Sequence, residues 1–586
     1  MKNSTFTILI TVLALCALVS CKKELNGDLL IQNVNVVNVE TGELNAEMDV
    51  LITGDSITNI ETHEKFNYVA KKTIVGTDKY LIPGLWDMHT HTWWGYEDFF
   101  PLLVANGVTG IREMFGNLEA VKNIRHEIEN GAIQGPDIVT SGPLVDGSPP
   151  GWPGSDEAKT PEEGREIVRK QAEEGAEFIK VYSFLEQDVF EAIADESNKI
   201  GVAFGGHIPR KVKVEDAVKA GQKFIEHFNG MLEFTTKERD YYFSVMRGGA
   251  EDSVLSVFTE RRRVLAENYD SARLKPLINL LAENQVWIDP TSVVNRAFGY
   301  LDREEFTSDE RIYYMPDYAI GDWDPKENRF LKTRKPEAFE YERMWYHKGL
   351  EMMKPMLEGG VKFLAGTDYP NIYCYPGFSL HDELQIFVEE AGFSPLEALQ
   401  TATINPAIFL EKENELGTVE SGKRATLVLL NANPLEDINN TRKIEGVILR
   451  GDYLDGDSLR ADIEAIAAKN KLPKIREVIK PFIVDQDIEA GIAEYHRLRT
   501  DSLSQFNFDE EQLNTLGYEL LEMEKPEEAI RIFKLNVEMY PDYANGFDSL
   551  GDGYLAIGDT TKTIEVWEKA IELGSEVTRE RLKSIK

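Results

Sequence analysis

Residues 81–91, LIPGLWDMHTH, form a short apolar run that closes on two histidines one residue apart. Residues i and i+2 of a strand project to the same face, so a strand ending this way presents both imidazoles together. Seven further runs have the same character: GVTGIREM (107–114), DIVTSGPLV (137–145), AEFIKVYS (176–183), GVAFGGHIP (201–209), KFIEHF (223–228), VWIDPTSVV (286–294) and VKFLAGTDY (361–369). Helical stretches such as PEEGREIVRKQAEEG (161–175) and VEDAVKAG (214–221) separate them. Short strands alternating with helices are the pattern of parallel β/α units, and eight of them predict an α/β chain with a (β/α)8 TIM barrel over residues 81–413.

Two insertions, residues 231–282 and 295–353, break the even spacing. Insertions after barrel strands lie over the C-terminal face, so both are expected to wall or cover a pocket there. On either side of the barrel the period changes to two. LLIQNVNVVNVETGE (29–43) and MDVLITGDSITNIE (48–61) alternate around Gly and Asp turns, and LGTVESGKRATLVLLN (416–431) and KIEGVILRGDYL (443–454) do so again. These predict one discontinuous small β-sandwich domain, residues 28–80 plus 414–457. Residues 458–511 read as a charged helical linker. In residues 512–586, Leu513, Leu516, Gly517 and Leu520 are matched 34 positions later by Phe547, Leu550, Gly551 and Tyr554, a tetratricopeptide-like period. Two such repeats are few for independent stability, so the tail is expected to dock on its own barrel or on a protein partner.

Composition sets outer limits. A chain of 586 residues exceeds one ordinary core. With 64 Lys+Arg against 101 Asp+Glu the net charge is -37, which repels phosphate backbones and argues against nucleic acid as a partner. Residues 6–19 are apolar behind Lys2, long enough for a signal sequence and short for a membrane span. They run into Leu18-Val19-Ser20-Cys21, which resembles a bacterial lipobox. The resemblance implies removal of residues 1–20 and lipidation of Cys21, hence an exported protein anchored by lipid to a cell-envelope membrane, on its periplasmic or cell-surface face. Of the three cysteines only Cys374 would then remain unmodified, so neither an intrachain disulfide nor a thiolate metal site is expected.

Histidine and carboxylate must supply any metal ligands. Of nine histidines, His89, His91, His207 and His227 fall in or just after predicted barrel strands, where a barrel places its catalytic groups. Lys180 lies inside predicted strand four, where a bare ammonium would be costly. Reaction of its amine with carbon dioxide would make it a carbamate, an anion able to bridge two metals. Asp368 ends strand eight and could bind a metal and exchange a proton with bound water.

These motifs in this order resemble the amidohydrolase superfamily, in particular its imidazolonepropionase-like and prolidase-like branch. The likeness spans residues 28–453 and rests on PGLWDMHTH, NGVTGIRE, GAEFIKVY, GGHIP, IEH, AGTD, EALQTATINPA and LGTVESGKRATLVLLNANPL. It implies a site of two divalent metal ions. His89, His91 and Asp368 would bind the more buried ion, His207 and His227 the outer one, and carbamylated Lys180 would bridge them. A hydroxide between the ions would attack a carbonyl, with Asp368 shuttling its proton to the leaving amine. Zinc suits these ligands first, with manganese or iron close behind. The family's Gly-Lys-x-Ala-Asp stands here as Gly422-Lys423-Arg424-Ala425-Thr426, a change in the β domain.

Other residues are candidates for substrate binding. Tyr182 shares the inward face of Lys180, Arg112 and Arg210 could pair with a carboxylate, and Trp93, with Trp94, could line an apolar pocket. Arg112 reads equally well as a structural ion pair. His381 is a candidate supporting group. The expected activity is hydrolysis of C–N amide or peptide bonds, as a dipeptidase or related amidase acting on a dipeptide or small molecule. The alternatives are a cyclic-amide hydrolase of imidazolone or lactam type, and a non-catalytic surface binding protein with a repeat tail.

Overall fold

The computed structural model describes residues 23–247, 254–321, 323, 324, 326, 328 and 331–585; the signal-like segment and Cys21 lie outside them. Among the described residues no helix is long and apolar enough to cross a membrane.

The alternating segments form strands β1 (Glu24–Val37), β2 (Leu44–Thr53), β3 (Ser56–Thr62), β4 (Asn67–Val75) and β5 (Tyr80–Pro83). Ten strands of the central region follow: β6 (Leu85–Thr90), β7 (Val108–Glu113), β8 (Asp137–Thr140), β9 (Val145–Asp146), β10 (Asp156–Glu157), β11 (Phe178–Val181), β12 (Ala203–Gly206), β13 (Phe224–Glu226), β14 (Trp287–Asp289) and β15 (Lys362–Phe363). The chain then returns through β16 (Leu427–Leu430), β17 (Ile444–Leu449) and β18 (Asp452–Asp455).

Strands β16 to β18 rejoin the N-terminal ones in the order β18-β17-β16-β5-β1-β2-β3, with β4 on β1. Where a small β-sandwich domain was expected, hydrogen bonds join all eight strands into one sheet, and residues from both its ends, among them Leu29, Ile52, Leu427 and Ile448, pack into one core. The reason lies in β1, which has 14 residues. Its first half pairs with β4, its second half with β5 at Asn35 and Val36, and irregularities in its pairing with β2 fall between Ile31 and Val36. The stretch 81–91 also divides. Tyr80–Pro83 is β5 of this sheet, antiparallel to β16, and only after Gly84 does the chain enter the central region as β6.

The central strands run parallel. β6, β7 and β8 pair in sequence order, as do β11 to β15. A bridge from Ser141 to Phe178 links the two sets. At the other side the Met88 N–H donates to the Ala365 carbonyl and Thr90 bridges Tyr369, linking β15 back to β6. The intervening helices follow local rules. Pro161–Glu174 starts at a reciprocal cap between Thr160 and Glu163 and stops at Gly175, whose φ is 105°.

Beyond β18 the described chain is almost wholly helical: Gly456–Asn470, Ile475–Asp485, Ile488–Asp501, Glu510–Glu522, Pro526–Met539, Ala544–Ala556, Thr560–Glu572 and Glu576–Ile585. The 34-residue spacing has a packing basis. A Cβ on Gly517 would run into the ring of Phe533, and one on Gly551, 34 residues on, into the ring of Trp567. The tail docks on the second insertion. Asp317 takes Lys474 at 2.7 Å, Arg476, and the Gln512 amide at 3.1 Å, and Asn470 donates to the carbonyls of Tyr313 and Met315. Asp317→Ala strands Lys474 at this half-buried junction and leaves Arg476 to Glu519 and Glu477. It is expected to cost about 1.5–3 kcal/mol of docking, read as faster limited proteolysis within 458–511; an unchanged cleavage rate would show that the contact does not hold the tail.

Candidate metal centre

Every ligand candidate sits at the C-terminal end of a central strand. His89 lies in β6 and His91 one residue past it; Lys180 is in β11, His207 follows β12, His227 follows β13, and Asp368 stands five residues beyond β15. Backbone hydrogen bonds carry the strand ladder past the strand ends. The Asp368 N–H donates to the His89 carbonyl at 2.8 Å, His91 to Tyr369 at 2.9 Å, His207 to Val181 at 3.1 Å and His227 to Asp289 at 2.9 Å. Asp368 and His227 have φ of 62° and 57°, a left-handed conformation that Asp and His adopt more readily than most residues.

Side chains from distant segments converge here. His91 Nε2 is 2.9 Å and His89 Nε2 3.4 Å from Asp368 Oδ1, and one ligand atom from each of the three lies within 4.8 Å of the others. The His227 ring is 4.6 Å from that of His89 and 4.9 Å from that of His207. Hydroxyls hold the two outer histidines: Ser183 Oγ is 2.7 Å from His207 Nδ1, and Thr291 Oγ1 is 2.6 Å from His227 Nδ1. Among the described residues, Lys180 Nζ is buried with no hydrogen-bond partner. Burial lowers its amine to about 8, against the opposing pull of Glu226. Gly206, next to it on β12, makes the room: a Cβ there would meet Lys180 Cδ at 2.7 Å. Burial also keeps His89 and His207 well below the ordinary imidazole range, which favours the neutral, ligating form. It pushes Asp368 up, but the surrounding imidazoles of His89, His91 and His227 outweigh burial and hold the carboxyl well down, as an anion. Neutral imidazoles, an ionised carboxylate and an orphaned buried amine are a donor set that suits a divalent cation.

The substrate candidates separate. Tyr182 stacks on His207 at 4.1 Å, and its hydroxyl accepts from Trp152 Nε1 at 2.9 Å. Arg210 lies 4.4 Å over the Phe184 ring, with its Nε buried and unpartnered among the described residues. Tyr182 therefore stands beside the histidines, and Arg210, three residues after His207, is held by its backbone N–H donating to the Ser183 carbonyl at 3.0 Å. Arg112 is fully buried, donating from Nε to the Met88 carbonyl at 2.5 Å and from Nη2 to Glu226 at 2.8 Å and Asp289 at 3.2 Å. The rings of Phe178, Phe224 and Phe409 lie within 5.7 Å of its guanidinium. The expectation of a substrate contact is corrected: Arg112 is an ion pair of the interior, because its side chain is sealed among these rings. The Trp93 indole donates to the Phe115 carbonyl at 2.8 Å, so its polar edge is spent on structure, while Trp94 packs edge-on against Phe99 and Tyr318. His381 is buried between Thr441 Oγ1 at 2.9 Å and the Asn106 carbonyl at 3.0 Å, as a structural group.

Reading the sequence missed the supporting carboxylates. Glu226 Oε2 is 2.7 Å from His89 Nδ1. Glu113 accepts from the Thr92 and Trp93 amides, which fixes the turn after His91. Asp87 accepts from the Thr367 amide and hydroxyl beside Asp368. Their signal was proximity in sequence to a ligand (Glu226 precedes His227, Asp87 stands two before His89), and nothing in the spacing says which acidic residue is so used.

Comparison with known proteins agrees with this geometry. Residues 80–454 match the model of the amidohydrolase family. The ochratoxinase of Aspergillus niger is 23% identical over 421 residues, covering 61% of this chain and 71% of that one. Among solved structures, a bottromycin amidohydrolase superposes with a TM-score of 0.61 at 22% identity, over 76% of this chain and 90% of that one. A Xaa-Pro dipeptidase does so with 0.52 at 19%, over 73% and 99%. The family generally binds divalent metals, and the convergence of His89, His91 and Asp368 is where this chain could do so. The chain belongs to the amidohydrolase family, as a hydrolase acting on carbon–nitrogen bonds.

Proposed function

We propose that the protein is a metal-dependent dipeptidase or related amidase, built on a (β/α)8 barrel and carried outside the cell on a lipid attached to Cys21, with a tetratricopeptide-like tail. The observation that carries the catalytic reading is the convergence of His89, His91 and Asp368 beside an orphaned Lys180 amine. His89, His91 and Asp368 would hold one ion, His207 and His227 a second, zinc by preference and manganese or iron by the same ligands. Lys180 would join them as its carbamate: the neutral amine bonds to carbon dioxide and releases one proton, which a lowered amine pKa favours. Bound metal supplies Lewis-acid polarisation of the scissile carbonyl and makes water acidic enough to attack near neutral pH.

The chain's own groups do the rest. Asp368 takes the proton of the attacking water on a carboxylate oxygen and delivers it to the leaving nitrogen, without which an amide expels a poor leaving group. Ser183 and Thr291 keep His207 and His227 turned toward the centre. Arg210 and the Tyr182 hydroxyl receive the carboxylate at the C-terminal end of a short peptide, a charge-assisted contact that a guanidinium in no ion pair among the described residues is free to make. The structural likeness to a Xaa-Pro dipeptidase supports a peptide substrate.

Hydrolysis of a dipeptide mixture by metal-loaded protein, set against lactams and imidazolones, tests this reading. Release of free amino acids is expected; turnover of the cyclic amides alone would replace it. Arg210→Ala should raise KM for a dipeptide roughly 10- to 100-fold with kcat nearly constant, and should leave a C-terminally amidated analogue unaffected. An equal effect on both substrates would remove Arg210 from carboxylate recognition.

A further inference from the structure

We propose that Glu226 is a positioning residue that sets the tautomer and aim of His89, and that Arg112 and Asp289 hold Glu226 in place for this task. The proposal rests on the metal-centre reading above. The His89 side chain is 1% exposed and has two faces. Its Nδ1 is 2.7 Å from Glu226 Oε2, while its Nε2 faces Asp368 Oδ1 at 3.4 Å. A carboxylate beside Nδ1 accepts a hydrogen bond from an N–H there and so keeps the proton on that nitrogen. This leaves the lone pair on Nε2, on the side of Asp368 and His91, and makes the imidazole a better donor to a cation.

Glu226 has little freedom to do otherwise. Its second oxygen accepts from Arg112 Nη2 at 2.8 Å, and the same Nη2 reaches Asp289 at 3.2 Å. Arg112 is pinned in turn by the Met88 carbonyl, one residue before His89. Four strands are thereby tied together: β6 by His89, β7 by Arg112, β13 by Glu226 and β14 by Asp289. A second grouping of ligand atoms, from His89, Glu226 and Asp289, could be taken for a cation site. The Arg112 guanidinium already supplies its positive charge, so it reads as the support of the first.

Backbone geometry explains how Glu226 can serve here at all. Consecutive residues of a strand face opposite sides, yet Glu226 meets His89 through a carboxylate and the next residue, His227, meets the same imidazole through its ring. The φ of 57° at His227 breaks the alternation and turns both inward.

The tests are Glu226→Gln and a tautomer measurement on the wild type. Gln keeps the size but offers Arg112 and His89 only one acceptor and no charge. The folded variant should bind zinc 10- to 100-fold more weakly in a chelator competition. Nitrogen NMR of metal-free protein should show the proton of His89 on Nδ1 in the wild type and a mixture of tautomers in the variant, a change that loss of packing alone would not produce. Zinc affinity equal to wild type in a folded Glu226→Gln overturns the proposal. If the variant does not fold, the wild-type spectrum decides, and a proton on Nε2 overturns it. Failure of wild-type protein to take up zinc would refute the metal centre instead, with the tautomer measurement still readable.

Discussion

Asp368→Asn is expected to lower kcat on the order of 10²–10⁴-fold, the usual worth of a placed general acid–base group, with the fold intact. Asparagine is the informative replacement because Asp368 has φ of 62°, which Asn accepts and a residue such as Val would not. It keeps the side-chain volume and leaves untouched the Asp368 amide, which donates to the His89 carbonyl. What it loses is the charge that faces His89, His91 and His227, and the ability to take a proton and hand it on. The measurement is kcat on a good dipeptide beside metal content and melting temperature. A variant with a third or more of wild-type turnover would mean that the proton travels by another group.

Lys180→Ala should lose both activity and most of the metal, falling from about two ions per chain in a two-metal site to below one. Lys180 is the ligand candidate whose present form is least at ease: a buried amine without a hydrogen-bond partner among the described residues carries a desolvation cost that the charges of Glu226 and Asp368 do not fully offset. Conversion to a carbamate would turn that liability into an anion able to join two cations. Elemental analysis of the purified variant, and a carbon NMR signal from wild-type protein equilibrated with labelled bicarbonate, check the two halves separately. Full metal content with full activity in Lys180→Ala would sink the bridging carbamate. Metal retained with activity lost would assign Lys180 a role in catalysis and not in assembly.

Much of the site was legible in one dimension. The i, i+2 spacing of His89 and His91 and the placing of His207, His227 and Asp368 after apolar runs depend only on where strands end. Those ends are set by local pattern, so the set could be collected from the chain without knowing which strands are neighbours. The helix Pro161–Glu174 was legible for the same reason, since its cap and stop are within its own residues. Arg112 was not. Its strand and inward direction follow from alternation, but its partners Glu226 and Asp289 lie 114 and 177 residues away. Only the arrangement of strands in space decides that they share one guanidinium. The joining of all eight strands of the β domain was not legible either, because alternation shows that a strand has two faces but not that the 14-residue β1 would serve two neighbours in succession.

By itself, then, the order of residues determined the parallel β/α repeat and the placing of the candidate ligands at strand ends, both properties of short windows in which side-chain direction repeats every second residue. Tertiary structure alone decided the rest: that Glu226 and His227 both turn inward, against that alternation; that Tyr182 lies flat on His207; that among the described residues Arg210 forms no ion pair while Arg112 forms two; and that the tail seats on Asp317. The physical reason is the same in each case. A periodic pattern specifies which way a side chain points. The contact it makes depends on depth, on neighbouring strands and on backbone torsions, which arise only when distant segments are packed together.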